Sequence, residues 1–296
     1  MAAASVFVTG SMGNVGREVV RALLARAIRV CAADRDPARV RALFGDGVEA
    51  VRFDYRDRST FAVVRGSAAL FLLRPPAIAD VKSTLLPFID EARRGGVEQI
   101  VFLSVAGAEK NPFVPHHAVE QHLFRGQGWT VLRPGFFAQN LEDAYLRDIV
   151  EDERVYVPAG TGRVAFVDVR DLAEVAALAC SSPGEHDQRA YTLTGHEAID
   201  FAAVASLLTE VLGRPIRYEA ASIAGYVRHL RRRDMTWTQA AIQTVLHVGL
   251  RFGQAEMVDP TLERLLGRAS RTVRSYLLDH RERFLGGPAG SGPIQP

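Results

Sequence analysis

Three glycines near the start of the chain have the spacing of a phosphate-binding turn. Gly10, Gly13 and Gly16 follow the apolar run 6–8 and precede a helical pattern of apolar residues. In such a strand–turn–helix unit, one glycine lets the chain reverse, one lets backbone N–H groups approach a pyrophosphate, and one lets the helix pack closely on the strand. The unpaired donors at the start of the helix then face the anion. The stretch predicts a dinucleotide-binding turn, the alternative being an ordinary glycine-rich turn.

Two charged residues beyond the turn bear on the identity of the dinucleotide. Asp34 ends the second predicted strand, eighteen positions after Gly16, where a carboxylate can accept hydrogen bonds from the adenosine ribose. Arg35 follows directly, and its guanidinium could hold a 2′-phosphate. Because the strand end places Asp34 nearer the ribose, we expect NAD in preference to NADP. The other interpretation of Asp34 is a cap or turn residue.

Further cofactor contacts are expected where other predicted strands end. Asp54 is placed to meet the adenine amino group, although a turn role fits it equally well. Residues 73–75 would line the path of the ribose and phosphates, and Ser104 would face the nicotinamide, with Gly135 and Phe136 along its other side. The complete set of expected cofactor-binding residues is Thr9, Gly10, Met12, Gly13, Asn14, Val15, Asp34, Arg35, Asp54, Tyr55, Leu73, Arg74, Pro75, Ser104, Gly135 and Phe136.

An alternation of strands and helices positions these residues at one edge of a sheet. After the first strand, apolar segments predict strands at 28–33, 48–53, 68–73, 99–104 and 130–132. The helices between them include one that follows Pro75 and Pro76 and runs through 93, and one at 115–125. Strands that alternate with helices form a parallel sheet covered on both faces, and right-handed crossovers make the α/β fold doubly wound. The ligand crevice then lies at the carboxyl ends of the strands.

The pattern changes after residue 133. An amphipathic segment runs to about 150, and residues 163–180 return to a strand and a helix. Further strands are predicted at 191–194 and 216–219, and the remainder is largely helical. Asp168 and Asp171 stand at that strand–helix junction, where helix N-capping is the simplest role. We therefore expect a Rossmann-type dinucleotide-binding domain at 1–135 to which 163–195 return, a smaller, mainly helical substrate lobe at 136–162 and 196–285, and a disordered tail at 286–296.

The composition argues against several other classes of protein. The 296 residues are 48% hydrophobic and 24% charged, and their net charge of +2 offers no large field to attract nucleic acid or an anionic membrane. The arginine run 231–233 is therefore interpreted as a solvated helix face. Cys31 and Cys180 stand apart in apolar surroundings, as buried thiols do in a reducing compartment. No apolar segment is long enough to cross a bilayer and no cleavable leader is recognised, so the expected location is the cytoplasm.

Several stretches along nearly the whole chain resemble the NmrA-like group of atypical short-chain dehydrogenases/reductases. They are VTGSMGNVGREVV, FLLRPP, FLSVAGAE, HHAVEQHL, WTVLRPGFFAQN, FVDVRDLAEVA, YTLTGHEAIDFAAVASLLTEVLGRPI and LERLLGRASRTVRSYLLDH. Within that group the chain looks most like the NAD(P)H quinone oxidoreductases and triphenylmethane reductase. The resemblance implies an extended Rossmann domain with a small C-terminal substrate lobe. It leaves the substrate open, because the group includes reductases of quinones, dyes and conjugated or imine-bearing metabolites, and also redox-sensing regulators that bind the cofactor without turning it over.

The chain departs from mainstream short-chain dehydrogenases in its proton donor. Those enzymes use a tyrosine and a lysine four positions later, and the lysine lowers the pKa of the tyrosine. The only lysines here are Lys82 and Lys110, and the residues four positions before them are isoleucine and alanine. Where the group places the pair, this chain has His116 and Glu120 on one helix face. The candidate catalytic residues are His116, Glu120 and Ser104, with His116 as a proton donor or, alternatively, a structural histidine.

Without a strong acid, the protein could still transfer hydride to an acceptor that is already electrophilic. A quinone, an iminium ion or a conjugated enone accepts hydride and recovers its proton from water or a weak donor. Five aromatic residues could form an apolar wall for such a ring system: Phe136, Phe137, Tyr145, Tyr226 and Trp237. The expected function is an NAD(P)H-dependent reductase of a planar conjugated small molecule, with a non-catalytic redox sensor and a tailoring isomerase or cyclase as alternatives.

The expected partners follow from the same observations. They are the nicotinamide cofactor and a small-molecule substrate, with no nucleic acid and no membrane, and a homodimer is left open. His117 and His122 add no recognisable zinc-ligand spacing, so no metal is expected.

Overall fold

A computed structural model describes residues 5–287, which form strands and helices in alternation. The strands are β1 (Ser5–Val8), β2 (Arg29–Asp34), β3 (Glu49–Arg52), β4 (Ala69–Leu73), β5 (Gln99–Leu103), β6 (Trp129–Pro134), β7 (Phe136–Phe137), β8 (Arg154–Val157), β9 (Arg163–Val164), β10 (Phe166–Val167), β11 (Arg189–Leu193), β12 (Ile199–Asp200) and β13 (Arg217–Ala220). The helices are α1 (Asn14–Leu24), α2 (Pro37–Phe44), α3 (Leu85–Arg94), α4 (Pro115–Leu123), α5 (Asn140–Asp143), α6 (Leu146–Glu151), α7 (Val169–Ser181), α8 (Pro183–His186), α9 (Phe201–Leu212), α10 (Ile223–Arg232), α11 (Trp237–Leu250), α12 (Thr261–Leu266), α13 (Val273–Asp279) and α14 (Arg281–Phe284).

Seven of these strands form one parallel sheet. Their order is β3-β2-β1-β4-β5-β6-β11, and every neighbouring pair is parallel. From the middle of the sheet, β1, β2 and β3 follow one another toward one edge. The strands β4, β5, β6 and β11 follow one another toward the other edge. The gap between the ends of β1 and β4 is therefore the topological switch point, where doubly wound sheets bind their ligands.

Helices cover both faces of this sheet because successive side chains of a strand point to opposite faces. Val6 and Val8 of β1 belong to a buried cluster that includes the apolar sides of α1 and α7. Phe7 points to the other face and packs with Phe53 and Phe88. The ring centroids of Phe53 and Phe88 lie 4.5 Å from each other. The predicted doubly wound α/β fold of Rossmann type is confirmed.

The second half of the chain adds a separate apolar core, built mainly by helices. Tyr145, Phe201 and Tyr276 are among its fully buried side chains. The predicted strand near 216–219 is present as β13, and it pairs in parallel with β8, which the sequence pattern did not reveal. By contrast, β11 joins the edge of the main sheet beside β6, and α7 packs along α1.

The segment after β4 is an irregular loop where the sequence predicts a helix. The helix predicted to follow Pro76 begins only at Leu85. Pro75 and Pro76 have no backbone N–H, and Nη1 of Arg74 donates to the carbonyls of Pro75, Pro76 and Ile78 at 3.1, 3.3 and 2.7 Å. These bonds hold the loop at the carboxyl end of β4.

The remaining global predictions concern the thiols, membranes and the tail. Cys31 and Cys180 are buried free thiols. Within residues 5–287, no helix combines the length and apolar character needed to span a bilayer. Residues 288–296 of the predicted tail lie outside the described residues, whereas Gly287 is described and its N–H donates to the Glu282 carbonyl at 2.9 Å.

Candidate functional site

The glycine turn between β1 and α1 is wound so tightly that no side chain fits at the position of Gly16. Gly10 has a φ of +62°, a conformation that glycine adopts without strain. A Cβ at Gly16 would lie 2.0 Å from the Gly10 carbonyl oxygen. Gly13 is the N-cap of α1, and its N–H donates to the same carbonyl at 2.9 Å. The first backbone N–H groups of α1 are thereby presented at the carboxyl end of β1.

Two hydroxyl groups fasten this turn to the neighbouring strands. Thr9 Oγ1 donates to the Phe71 carbonyl at 3.0 Å and accepts from the Leu73 N–H at 2.9 Å, which ties β1 to β4. Ser11 Oγ donates to the Ala33 carbonyl of β2 at 3.0 Å. Both side chains are fully buried, so their hydroxyls hold the turn in place.

The other side chains of the turn have distinct surroundings. Val15 is buried in the core beneath α1, so only its backbone is presented to the crevice. Met12 is half-buried against the same core. Asn14 Nδ2 donates to Asp143 Oδ2 of α5 at 2.6 Å. This bond links the turn to the second half of the chain.

The carboxylates at the ends of β2 and β3 take part in turns. Asp34 Oδ1 accepts from the N–H of Asp36 at 3.0 Å, and Asp54 Oδ1 accepts from the N–H of Arg56 at 2.9 Å. The turn role considered for each residue is therefore present. Arg35 is exposed, and it has no hydrogen bond or ion pair within the part of the chain that the structure describes.

The end of β4 lies directly beside the glycine turn. A Cβ at Gly10 would lie 3.1 Å from Leu73 Cδ2. Tyr55, one of the expected cofactor-binding residues, is buried beneath this strand end and donates its hydroxyl to the Leu73 carbonyl at 2.8 Å. Burial raises the pKa of Tyr55 well above its usual value, so the neutral phenol supports the strand end.

Ser104, at the end of β5, contacts a buried ion pair. Its Oγ donates to Glu120 Oε1 at 2.5 Å. Arg133 of β6 donates to both carboxylate oxygens of Glu120, at 3.0 and 2.6 Å. Its Nε also lies 3.4 Å from Oε2 of Glu109. Glu120 is fully buried. Both of its oxygens are thus used by donors inside the protein, in the bidentate geometry that makes arginine–carboxylate pairs strong.

His116 pairs with an arginine and not with Glu120. The two residues share one face of α4, yet His116 Nε2 accepts from Arg74 Nε at 3.2 Å, while Glu120 bonds to Ser104 and Arg133. Burial and the charge of Arg74 lower the pKa of His116 to about 4. His116 and Glu120 are therefore not bonded to each other: the imidazole is neutral near pH 7, and the guanidinium of Arg133 binds the carboxylate.

Gly135 and Phe136 lead from β6 into the helical part of the chain. The Gly135 N–H donates to the Leu193 carbonyl at 2.9 Å, and Phe136 pairs with Phe166 across β7 and β10. The Phe136 ring meets His247 of α11 edge-on, with ring centroids 6.1 Å apart. The strand end therefore continues directly into the C-terminal core.

The five aromatic residues considered as a substrate wall do not form one surface. Tyr145 and Tyr226 are buried in the C-terminal core, where the Tyr145 hydroxyl lies 2.5 Å from His247 Nε2. Trp237 is 68% exposed. Phe136 and Phe137 alone of the five directly follow the end of β6.

The N-capping prediction for Asp168 is confirmed. Its carboxylate accepts from the N–H of Arg170 at 2.8 Å at the start of α7. Asp171 is fully buried and accepts instead from Arg268 and from the N–H of Arg271. Across residues 5–287, no group of three or more His, Cys, Asp or Glu side chains could hold a metal ion.

One edge of the sheet gathers most of the residues predicted from the sequence. The ends of β2, β1, β4, β5 and β6 are adjacent in the sheet, so Asp34, the turn 10–16, residues 73–75, Ser104 and Gly135 line the same edge. The sequence-based set missed Ser11 within the turn, and three polar residues from other elements: Arg133, Asp143 and His247.

Known proteins share this sequence and architecture. The chain is 30% identical over 284 residues to an NAD(P)H azoreductase of Xenophilus azovorans, a match that spans 94% of this chain and 99% of that protein. It is 32% identical over 289 residues to the (4-alkanoyl-5-oxo-2,5-dihydrofuran-3-yl)methyl phosphate reductase of Streptomyces griseus, with 94% and 99% covered. The crystal structure of an NADPH-dependent quinone oxidoreductase of Escherichia coli, complexed with NADPH, matches with a TM-score of 0.83 at 25% identity over 93% of this chain and 99% of that one.

The sequence profile of one family covers nearly all of the chain. The NmrA-like family matches residues 3–271. The match contains the glycine turn, the whole parallel sheet and most of the helical C-terminal region. The chain therefore belongs to the NmrA-like family.

Proposed function

We propose that this chain is an NAD(P)H-dependent reductase that transfers hydride to a planar conjugated small molecule. The observation that carries the proposal is the turn in which Gly16 lies against the Gly10 carbonyl and opens onto the switch point between β1 and β4. A nicotinamide dinucleotide fits this turn because no Cβ obstructs the backbone N–H groups that bind a pyrophosphate. When bound, it supplies the hydride, and the chain supplies orientation.

The substrate class is inferred from the relatives. Their names give an azo compound, a quinone and a dihydrofuranone as the compounds reduced. All three classes carry an electrophilic conjugated system that accepts hydride without prior protonation. The expected cofactor-binding residues are kept as part of this proposal, with the backbone of 13–15 at the pyrophosphate and Ser104, Gly135 and Phe136 at the nicotinamide end.

A panel of acceptors tests the proposed function. Purified protein is mixed with NADH or NADPH and with a series of quinones, azo dyes, conjugated enones and iminium compounds, and oxidation of the reduced nicotinamide is followed. We expect steady oxidation with at least one class of acceptor. A redox sensor would bind the nucleotide and leave it reduced with every acceptor, and that result would contradict the proposal.

His116 is expected to contribute little to proton transfer. Because its neutral imidazole accepts from Arg74, we propose that the acceptor recovers its proton from water. His116→Gln, which retains a side-chain acceptor for Arg74, should change kcat by less than about tenfold, whereas removal of a true general acid costs about 100-fold or more. A loss of that larger size, together with loss of the fall of kcat on the alkaline side of its pH profile, would show that His116 donates the proton.

Arg35 is expected to distinguish the two nucleotides. Asp34 already uses one oxygen to hold its own turn, and Arg35 is exposed beside it. In place of the NAD preference expected from the strand end, we therefore propose that both nucleotides bind and that Arg35 gives NADPH additional affinity through its 2′-phosphate. Arg35→Ala should weaken NADPH binding about tenfold, since a hydrogen bond to a charged group is worth about 1.5–3 kcal/mol. It should leave the affinity for NADH unchanged. Arg41→Ala, an exposed arginine of α2, is the matched control. Equal losses for NADH and NADPH would contradict this role.

A further inference from the structure

An acidic side chain from the second half of the chain reaches the start of α1. Asp143, the last residue of α5, accepts from Nδ2 of Asn14 at 2.6 Å. Asn14 is the first residue of α1, directly after the N-cap Gly13. The backbone N–H groups of this turn are the ones proposed to bind the pyrophosphate. A carboxylate therefore stands beside the place where two further negative charges would arrive.

The other titratable and charged groups that face Asp143 come from four elements. They are Glu142 on α5, Arg17 on α1, Tyr276 on α13 and Arg283 on α14. Glu142 is held in turn by His280, at 2.6 Å, and it lies 3.8 Å from Arg283. Solvent reaches the Asp143 side chain, but its partial removal from water and the charge of Glu142 raise its pKa to about 6.

We propose that Asp143 takes up one proton from solvent when the dinucleotide binds, so that a neutral carboxyl group lies beside the pyrophosphate. This inference rests on the proposed function, because it assumes that the turn binds a dinucleotide. Like charges at short range disfavour the charged form of each, and protonation of Asp143 removes that repulsion. The bond from Asn14 is kept, because a protonated carboxyl group still accepts a hydrogen bond.

The consequence is a dependence of cofactor affinity on pH. Below about pH 6, Asp143 is already protonated in the free protein, and binding needs no further proton. At higher pH each binding event takes up a proton, so the affinity falls by up to about tenfold per pH unit until the pH passes the pKa of Asp143 in the complex. The repulsion is then present in full.

Calorimetry with NADH tests the inference on the full chain. NADH is used because the 2′-phosphate of NADPH titrates in the same pH range. The titration is made in two buffers of different ionisation heat, from about pH 6 to about pH 8, which counts the protons taken up. We expect uptake of up to one proton per NADH near the upper end. Asp143→Asn, which keeps the shape and an acceptor for Asn14, should take up none and bind NADH up to about 100-fold more tightly than the wild type at about pH 8, two pH units above the pKa of Asp143 in the free protein.

Asp46→Asn is the matched control. Asp46 is exposed in the turn that precedes β3, at the opposite end of the strands from the crevice, so this variant should behave as the wild type. Uptake of a proton that persists in Asp143→Asn would assign the proton to another group and overturn the inference, as would wild-type binding with no uptake at all. In both of those cases NADH still binds, so the proposed function stands. Absence of NADH and NADPH binding at every pH would remove the proposed function and this inference together.

Discussion

Replacing Gly16 with alanine is expected to abolish the binding of both NADH and NADPH. The added Cβ would lie 2.0 Å from the carbonyl oxygen of Gly10 and 2.6 Å from its carbonyl carbon, so α1 would have to move away from the turn. That movement displaces the backbone N–H groups that bind the pyrophosphate. We expect affinity for both nucleotides to fall by more than about 100-fold, or about 3 kcal/mol, measured by calorimetry.

Gly47→Ala is the matched control, because no atom lies within 4 Å of the Cβ position there. It should leave nucleotide binding unchanged. Wild-type affinity in folded Gly16→Ala protein would contradict the proposed site.

A second pair of variants covers the case in which Gly16→Ala does not fold. Asn14→Pro removes one backbone donor at the first position of α1, where proline is well tolerated. Gly13 has extended angles, φ −81° and ψ 167°, which suit a residue before proline. Asn14→Ala removes the same side chain but keeps the N–H. We expect the proline variant to bind both nucleotides at least about tenfold more weakly than the alanine variant, since a hydrogen bond to a charged group is lost. Equal affinities would show that this N–H does not meet the ligand.

Glu120→Ala is expected to be the most destabilising single substitution among the residues that meet at the end of β5. Glu120 lies on α4 and contacts Ser104 there. The substitution would leave the guanidinium of Arg133, a side chain only 13% exposed, without the carboxylate that binds it bidentately. Removing one partner of a buried ion pair costs about 3–5 kcal/mol. We expect the free energy of unfolding, measured in urea, to fall by that amount.

Two comparison variants distinguish the loss of the buried ion pair from the general effect of removing a carboxylate. Glu210→Ala removes the carboxylate of an exposed pair with Arg274, at 2.6 Å, and should cost less than about 1 kcal/mol. Glu120→Ala combined with Arg133→Met should recover part of the lost stability, because no uncompensated charge remains. A double variant as unstable as the sum of its parts would show that the pair itself is not the source of the effect.

The fold could be read from the sequence because the signals for it are local. Apolar runs mark strands of the main sheet, and their alternation with helices indicates a doubly wound parallel sheet. Asp168 was interpreted correctly as a cap because capping involves its own near neighbours. The loop after β4 could not be predicted from local signals. There the side chain of Arg74, and not the pattern along the backbone, decides that a loop precedes the helix.

The polar partners of the site could not be predicted because they join distant parts of the chain. Asn14 and Asp143 are 129 positions apart, and Arg74 and His116 are 42 apart. The spacing of His116 and Glu120 suggested a pair on one helix face. In the folded chain Arg133 arrives from the next strand with two charge-assisted bonds, which outcompete a contact with an imidazole.

The central claim is tested most directly by a single-turnover measurement. Protein saturated with NADPH, free of excess nucleotide and of oxygen, is mixed rapidly with a quinone or an azo dye, and the near-ultraviolet absorbance of the reduced nicotinamide is followed. We expect that one equivalent of nucleotide per chain is oxidised while one equivalent of acceptor is reduced, and that Gly16→Ala protein shows neither change. Nucleotide that stays bound and reduced in the presence of every quinone, azo and enone acceptor would contradict the claim that this chain is a reductase.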